Sequence, residues 1–425
     1  MKRTWRHTAP IARIPGGPDG RRMLIVSFVD RVGSGLWGAT AALYFTYAAG
    51  LTTAEIGILL AVSGAIGIAG PPLGGLLADR IPLRPLLLAV QLVRAAASLA
   101  LLTTTDLRLL LAIASLGSLG DRAASVLTKL YATRVAGSDR ARYQAINRTA
   151  MNIGWAVGGL IAAGALTGGT VTVYRWLLIG DALSFAASAL LTLRCAEPPS
   201  YSRVAATCTA ERIPDAAPPP NPWRDRRYLA YTATEAVLFL DDSVFKIGLP
   251  LWAVTATSAP HELVPLLLVL NNVLVVLFQV PLARFGATPH TARTTLRPLA
   301  VSFLLGGAAL AASTVGARWL AVGALVLAAT AFTVAEMLHA TISWELSVVL
   351  APATAQGAYL GVHGLAQAVQ RSVGPLAVTV AIAAGPIGWL GFGAALAAMC
   401  GAQRHLVRDR GDEALSVAPV TVSEH

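Results

Sequence analysis

The stretch Leu320–Val334 reads LAVGALVLAATAFTV and contains no charged residue. Two similar stretches are Ile58–Ile68, which has no charge, and Leu86–Leu102, which has Arg94 alone. A run of about 20 mostly apolar residues crosses the hydrocarbon core of a bilayer as an α-helix. Such runs recur along the chain, and hydrophobic residues make up 55% of it while charged residues make up only 13%. The sequence therefore predicts an all-α integral membrane protein that contacts a lipid bilayer.

Twelve apolar segments separated by short polar connections predict twelve transmembrane helices. The predicted ranges are 23–48, 55–79, 85–104, 108–134, 145–167, 176–194, 228–255, 262–283, 297–315, 319–346, 357–384 and 386–403. Lys and Arg concentrate in the N-terminal segment, the even-to-odd connections and the tail, whereas the alternate connections hold little more than Arg108, Arg175 and Arg318. By the positive-inside rule both termini are predicted to be cytoplasmic. The formal net charge of +11 is interpreted in the same way, and not as a sign of nucleic-acid binding.

The helices are predicted to form two six-helix bundles joined by a linker. The segment Ala196–Asn221 is polar and rich in Pro, which is typical of a linker. The predicted organisation is an N-terminal segment at 1–22, a bundle at 23–195, a linker at 196–225, a second bundle at 226–403 and a tail at 404–425. The cysteines Cys195, Cys208 and Cys400 imply neither a disulfide framework nor a metal site. Only three of the 33 basic residues are Lys, a bias that with the Ala and Gly content suggests a bacterial inner-membrane protein.

The segment 74–84 reads GGLLADRIPLR and follows the second predicted helix. Asp79 lies where that helix reaches the cytoplasm, so its carboxylate can pair with a basic residue or cap a neighbouring helix N-terminus. Gly74 and Gly75 allow two helices to approach closely. A contact of this kind would hold one conformation and break in another. The alternative is that the arginines of the loop only mark the cytoplasmic side.

This loop resembles the signature loop of the major facilitator superfamily, usually Gly-x-Leu-Ala-Asp-Arg-x-Gly-Arg-Arg. The matching residues are Gly75, Leu77, Asp79, Arg80 and Arg84, while Pro82 stands where Gly is usual. The pattern Gly154-x-x-x-Gly158-Gly159 is similar to a loose form of the antiporter motif of the superfamily, whose Gly-Pro pair occurs instead at Gly374-Pro375. The resemblance implies the twelve-helix transporter fold, with Gly75, Asp79, Arg80 and Arg84 in a gating loop.

Charged side chains within the predicted helices concentrate on helices one, four, seven and ten. A charge at bilayer depth costs at least about 2.5–3.5 kcal/mol, so it needs a partner or a water-filled cavity. The resemblance implies that these four helices line the central cavity. The residues are Asp30 and Arg31; Asp121 and Arg122; Glu235, Asp241, Asp242 and Lys246; and Glu336, His339 and Glu345.

Asp30 and Arg122 are predicted to form a proton-coupling pair. By resemblance, an acid on helix one and an Arg on helix four couple many drug/proton antiporters. Arg122 cannot be deprotonated, so it favours the ionised form of a nearby carboxylate, and separation of the two would favour protonation. The alternative is a static ion pair that braces two helices. Asp121, beside Arg122, is included among the candidate proton-coupling residues.

Helices seven and ten supply further candidates for proton coupling. Lys246 lies four residues beyond Asp242, so these two are predicted to pair and Asp241 to be the freer acid, although the reverse assignment is nearly as well supported. Glu336 and His339 share one face of helix ten, which favours a proton relay or a substrate contact over a plain interhelical hydrogen bond. No second Glu-x-x-His accompanies them, so a di-metal site is not predicted.

The predicted substrate cavity combines aromatic side chains with acids. Such a cavity suits amphipathic or cationic organic molecules. Each single ring could equally be a packing residue. The candidates are Trp37, Tyr44, Phe45, Phe239, Asp242, Phe245 and Phe332.

No P-loop and no hydrolase or zinc-protease motif occurs in the sequence. The prediction is therefore a secondary transporter and not an enzyme, without cofactor or metal, monomeric, and driven by the proton gradient. Export of a drug-like or natural-product molecule is the first hypothesis. Uptake of a small metabolite with protons is the second. A membrane-embedded protein without transport activity is the third, and no catalytic constellation supports it.

Overall fold

The structure is a computed structural model that describes residues 14–168, 170–200 and 220–407. Most of the predicted Pro-rich linker, the first part of the predicted N-terminal segment and most of the predicted tail lie outside these residues, as does Cys208. The described chain is helical. The helices are α1 Gly17–Tyr47, α2a Thr53–Gly67, α2b Gly70–Arg80, α3 Leu83–Ala100, α4 Leu107–Ala136, α5 Arg140–Leu166, α6 Val171–Leu193, α7a Arg226–Leu238, α7b Leu249–Ala256, α8 Leu263–Leu282, α9 Pro289–Ala312, α10 Arg318–Val349, α11 Gln356–Ala383 and α12 Gly385–Leu406.

The helices follow local sequence signals at their ends. Asp106 accepts hydrogen bonds from the first turn of α4, and Thr52 and Glu55 form a capping box at the start of α2a. α9 begins well before the predicted residue 297, because Thr288 caps it and Pro289 occupies its first turn. Pro298, one residue after the predicted start, is accommodated inside the helix.

Two of the predicted helices are interrupted. Pro71 and Pro72 have no N–H groups, so the carbonyls four residues earlier lose their helical partners, and the second segment breaks into α2a and α2b. The seventh segment, predicted as continuous over 228–255, contains a 3₁₀ turn at Phe239–Asp241 and a π-helical turn at Val244–Gly248. Helical irregularities of this kind are frequent at functional sites, and here Asp241 lies in the 3₁₀ turn and Asp242 directly follows it.

Glycines set the closest approach between α1 and α5. A Cβ atom at Gly154 would lie 2.6 Å from the carbonyl oxygen of Phe28, and one at Gly158 would lie 2.0 Å from that of Val32. Any side chain there would force the helices apart. Gly154 and Gly158 of the predicted antiporter-like motif therefore act in helix packing in this structure.

Large apolar side chains cover the outside of the molecule. Trp319, Ile387 and Leu160 are 80%, 78% and 72% exposed. Eight helical stretches of the described chain are long and apolar enough to cross a membrane, and one of them, Leu107–Leu166, runs through both α4 and α5. This exterior fits lipid, and the all-α membrane fold is as predicted.

Candidate functional site

The first half of the molecule (α1–α6) meets the second half (α7a–α12) mainly toward the end that holds both termini. The hydrogen bonds and ion pairs that join the two halves in the described chain lie between mid-helix and that end. They involve α2b, α4 and α5 on one side and α10 and α11 on the other. At the opposite end, the described residues form no such bond between the halves. The structure is therefore closed at the end with the termini.

Arg94 on α3 organises the charges within the first half. Its side chain is only 3% exposed. Nη1 donates to Oδ1 of Asp30 at 2.6 Å and Nη2 donates to Oδ1 of Asp121 at 2.9 Å, while the guanidinium lies 3.9 Å from the ring centroid of Phe185. Two carboxylates at bilayer depth thus share one buried cation, which offsets the cost of placing them there.

The predicted pairing of Asp30 with Arg122 does not occur in this structure. Asp30 contacts Arg94 instead, and Arg122 donates to the backbone carbonyl of Ala368 on α11 at 3.3 Å. The sequence contained Arg94 as an isolated charge in an apolar run, and this was the available signal. The family resemblance suggested a pair between an acid on helix one and an arginine on helix four. It gave no information about a competing arginine on α3 such as Arg94.

Asp121 is the carboxylate that both halves share. Its Oδ2 lies 3.5 Å from Nη1 of Arg371 on α11, while its Oδ1 is held by Arg94 of its own half. The side chains of Asp121 and Arg371 are 34% and 38% exposed. Because α4 and α11 belong to different halves, a movement of the halves changes the number of cations around this carboxylate.

A second buried cluster lies within the other half, around Glu235 on α7a. Its side chain is fully buried and accepts hydrogen bonds from Ser343 and Gln403. Nε2 of His363 and Nε2 of His339 lie 3.4 Å and 3.5 Å from its Oε2. The cluster was not predicted as a unit, because its members come from α7a, α10, α11 and α12, far apart in sequence.

His339 connects this cluster to Asp241. Its Nδ1 lies 3.7 Å from Oδ2 of Asp241, and its ring centroid lies 4.8 Å from that of Phe239. Asp241 is buried and Asp242 is partly exposed and paired with Lys246 at 2.5 Å. Asp242 pairs with Lys246 as predicted, whereas Asp241 has no Lys or Arg partner among the described residues and is the more enclosed of the two acids.

Glu336 and His339 face different partners although they share one face of α10. Glu336 is bonded to Arg148 on α5 of the other half and accepts from Nδ2 of Asn271 on α8 at 2.9 Å. His339 stays within its own half. The two residues therefore do not form a single relay in this structure. Glu336 lies at the interface between the two halves, whereas His339, one helical turn later, lies inside the second half.

Most of the aromatic residues predicted to line a cavity are core residues. Tyr44, Phe45 and Phe332 are 3%, 2% and 1% exposed, and Phe245 is also buried, so in this structure they lie in the cores of the halves. Trp37 is partly buried and packs on the rings of Tyr44 and Phe45. Phe239 is half-buried against His339. Apolar rings fill the interiors of the halves, where they bury the most area.

The predicted gating loop makes a close contact between the halves. Asp79 accepts hydrogen bonds from the backbone N–H groups of Gly357 and Ala358, at 2.9 and 2.8 Å, in the first turn of α11. A Cβ atom at Gly75 would lie 2.1 Å from the carbonyl oxygen of Gly357. The carboxylate caps a helix N-terminus of the other half, one of the two contacts that the sequence predicted.

The arginines of the loop have other surroundings. Arg84 donates to the carbonyl of Leu193 at the end of α6. Its backbone N–H and that of Leu83 donate to Glu197, which caps α3. Arg80 is exposed. Within the described residues, no group of three or more His, Cys, Asp or Glu side chains is arranged to hold a metal ion.

Comparisons with known proteins place this geometry in context. Residues 23–375 match the family model described as Major Facilitator Superfamily. A search of curated proteins finds no match. Similar solved structures include the human organic anion transporter MFSD10 (TETRAN), with 17% identity and a TM-score of 0.63 over 92% of this chain and 100% of that one. A second is a bacterial homologue of the iron transporter ferroportin in an outward-facing state, with 14% identity and a TM-score of 0.67 over 92% of this chain and 99% of that one. A third is the transporter FucP in the outward conformation, with 14% identity and a TM-score of 0.65 over 92% of this chain and 98% of that one.

Proposed function

The chain belongs to the major facilitator superfamily, and from this membership and its buried charges we propose that it couples proton movement to transport of a small organic molecule. Membership makes it a multi-pass membrane transporter and not an enzyme. Proton coupling is supported by the position of Asp121, a carboxylate at mid-helix depth held by one cation from each half. The proposed membrane is the bacterial inner membrane, with both termini in the cytoplasm.

Asp121 has the property that a proton-coupling group needs. In the closed arrangement it lies beside Arg94 and Arg371, and two cations favour the ionised carboxylate. When α4 and α11 separate, Arg371 leaves, while Arg94 stays bonded to Asp121 and is shared with Asp30. The carboxylate is then easier to protonate. A proton can thus be taken up in one state and released in the other.

The second half offers a further place for a proton. A buried chain of titratable side chains runs from Asp241 through His339 to Glu235 and His363. Its end at Asp241 lies in the irregular part of the seventh segment. We propose that His339 passes charge changes at Asp241 to Glu235. Glu336 is assigned a separate role, since its bond to Arg148 crosses between the halves and must break when they separate at that level.

Alternating access requires that the closed end opens. The polar contacts that must break there are Asp79 with the first turn of α11, the 2.7 Å hydrogen bond from Lys129 to Ser347, and the two bonds between Arg140 and Glu345. These groups would be hydrated once the end opens, which makes an equilibrium between two states accessible. Apolar side chains of the second half also pack into the core of the first half at this end and favour the closed state: Trp344, Val348 and Leu360.

Two directions of transport are compatible with this coupling. Export in exchange for protons, the direction predicted from the sequence, is supported by the partly exposed carboxylates of Asp121 and Glu336, where a cationic substrate would compete with a proton. The argument from an Asp30–Arg122 pair no longer supports it. Uptake together with protons is supported by Arg371, because an anionic substrate that binds this arginine would leave Asp121 free to take up a proton.

Proteoliposomes that contain the purified protein and a pH-sensitive dye would test the proposal. A panel of small organic acids, amines and neutral compounds is added to a preformed pH gradient. We expect at least one compound to change the rate of proton movement with the wild type and not with Asp121→Asn. The matched control is Asp106→Asn, because Asp106 is an exposed helix cap and asparagine caps as well as aspartate. Compound-dependent proton movement that Asp121→Asn leaves intact would refute the role of Asp121.

A further inference from the structure

A small recess lies between the two halves, where α4 faces α11. Its polar lining consists of Arg122 and Ser125 from α4 and of Gln367 and Arg371 from α11, and Pro71 and Val126 complete its walls. Each half therefore contributes one guanidinium group and one neutral hydrogen-bonding side chain. No acidic side chain lines the recess.

Arg122 forms no ion pair with a carboxylate of the residues that the structure describes. Its side chain is buried, and within the described chain its only hydrogen bond goes to the carbonyl of Ala368. No Asp or Glu oxygen from residues 14–168, 170–200 or 220–407 lies within 4 Å of its guanidinium. Asp121 adjoins it in sequence, but adjacent residues point about 100° apart on a helix, and Asp121 contacts Arg94 and Arg371 instead.

Room for the Arg122 side chain is provided by the break between α2a and α2b. A Cβ atom at Gly67 would lie 3.1 Å from Nε of Arg122, and one at Gly64 would lie 3.8 Å from its Nη2. The glycines of α2a thus leave space for the Arg122 guanidinium at the edge of the recess. An arginine held this way, without an acid to pair with, is costly at bilayer depth unless an anion is supplied from outside.

We infer that this recess binds an anionic group of the transported molecule, such as a carboxylate, sulfonate or phosphonate, between Arg122 and Arg371. A guanidinium presents a planar fork of N–H donors that matches such a group with two parallel hydrogen bonds. Ser125 and Gln367 supply additional hydrogen bonds, and the anion removes the repulsion between two like charges that line one recess. The inference rests on the proposed transport function and names the chemical class of its substrate.

The two arginines differ in what they contribute. Arg122 is fixed against α2a and α11, whereas Arg371 is partly exposed and already contacts Asp121 at 3.5 Å. An arriving anion competes with Asp121 for Arg371 but has no competitor at Arg122. Since the arginines come from different halves, the bound anion links the halves in the closed arrangement and loses one partner when they separate. Binding and release are thereby tied to the conformational change.

The test is thermal stabilisation of the purified full chain in detergent by size-matched probes. The probes are naphthalene carboxylate, sulfonate and phosphonate, with the neutral carboxamide and the cationic methylammonium analogue as comparisons. We expect the anions to stabilise the wild type with saturable dependence on concentration and the neutral and cationic analogues to have little effect. Arg122→Gln and Arg371→Gln should each weaken the anion affinity about tenfold or more.

Arg318→Gln is the matched control, because Arg318 is an exposed arginine at the first residue of α10, away from the recess. Arg122→Lys keeps the charge without the planar fork and should give an intermediate affinity. The inference is overturned if no anion stabilises the protein, if the cation does so better than the anions, or if both glutamine variants bind as the wild type does. Such a result leaves the proton measurement with Asp121→Asn unaffected, so the transport proposal stands or falls separately.

Discussion

Arg140, the first residue of α5, holds Glu345 of α10 through two hydrogen bonds, each 2.7 Å long. Nε donates to one carboxylate oxygen and Nη2 to the other, so the pair is bidentate. Glu345 is 1% exposed while Arg140 is 24% exposed. The carboxylate is therefore buried only while the two halves are closed at this end, and the pair stabilises that state in particular.

Arg140→Gln should shift the protein toward opening at the end with the termini. Removing one partner of a buried ion pair costs about 3–5 kcal/mol because the other charge is left buried and unpaired, and here the closed state alone bears that cost. Spin labels at the exposed positions Ser138 and His290 would report the distance between the halves. Arg140→Gln combined with Glu345→Gln should restore much of the closed population, and an unchanged distance in the single variant would contradict this account.

Gly75→Ala should prevent the closest approach of α2b to α11. A Cβ atom there would lie 2.1 Å from the carbonyl oxygen of Gly357, and backbone atoms cannot yield as a flexible side chain can. We expect a larger separation between the same two spin labels and a loss of transport. Gly57→Ala is the control, since a Cβ atom at Gly57 meets nothing within 4 Å. That variant should keep the wild-type distance and gain up to about 1 kcal/mol of stability.

The fold was predictable because its physical causes are local. Each membrane-spanning helix needs its own apolar run, and the ends of the runs carry ordinary capping residues such as Thr52 and Asp106. The interruption of the seventh segment was not predictable in the same way. A π-helical turn such as Val244–Gly248 depends on how the chain packs on its neighbours, and Pro250 alone does not specify it.

The site was predictable in its residue types and not in its pairings. Intramembrane charge identified Asp30, Asp121, Glu336 and His339, since each needs a partner at bilayer depth. Which partner each finds depends on the rotation of helices about their axes, which a single sequence does not determine. Arg94 therefore replaced Arg122 as the partner of Asp30. The aromatic residues lie in the core of this structure for a related reason, because a ring on a helix that lines a cavity can equally point into the core of its own half.

Arg94→Gln should destabilise the protein far more than Arg122→Gln does. Arg94 holds Asp30 and Asp121 at 2.6 and 2.9 Å, so its loss leaves two carboxylates without that partner, whereas Arg122 donates to a backbone carbonyl alone. The expected difference is at least about 3 kcal/mol, measured as a lower midpoint of thermal unfolding in detergent. Adding Asp30→Asn to Arg94→Gln should recover part of the loss. Equal midpoints for the two arginine variants would contradict the pairing seen here.

Binding of an organic anion should be accompanied by proton uptake at Asp121. The anion takes Arg371 away from this carboxylate, and a carboxylate with fewer cationic neighbours is easier to protonate. Arg94, Arg31 and Arg122 remain near it, so the uptake per anion should be smaller than one proton. A pH indicator in weakly buffered solution measures it directly. Asp121→Asn should bind the anion without proton uptake, and net proton release by the wild type would contradict the competition for Arg371.

Glu336→Gln and His339→Gln should produce different defects, although the two residues lie one turn apart. Glu336 bonds to Arg148 of the other half, so its neutralisation weakens an interaction between halves and should increase the distance between labels at Ser138 and His290. His339 lies within its half, 3.5 Å from Glu235 and 3.7 Å from Asp241. Its replacement leaves two buried acids short of a donor, so the main effect should be a lower thermal midpoint, with little change in the label distance. If both variants open the closed end equally, the two residues do not act separately. That result would support the single relay that the spacing of Glu336 and His339 first suggested.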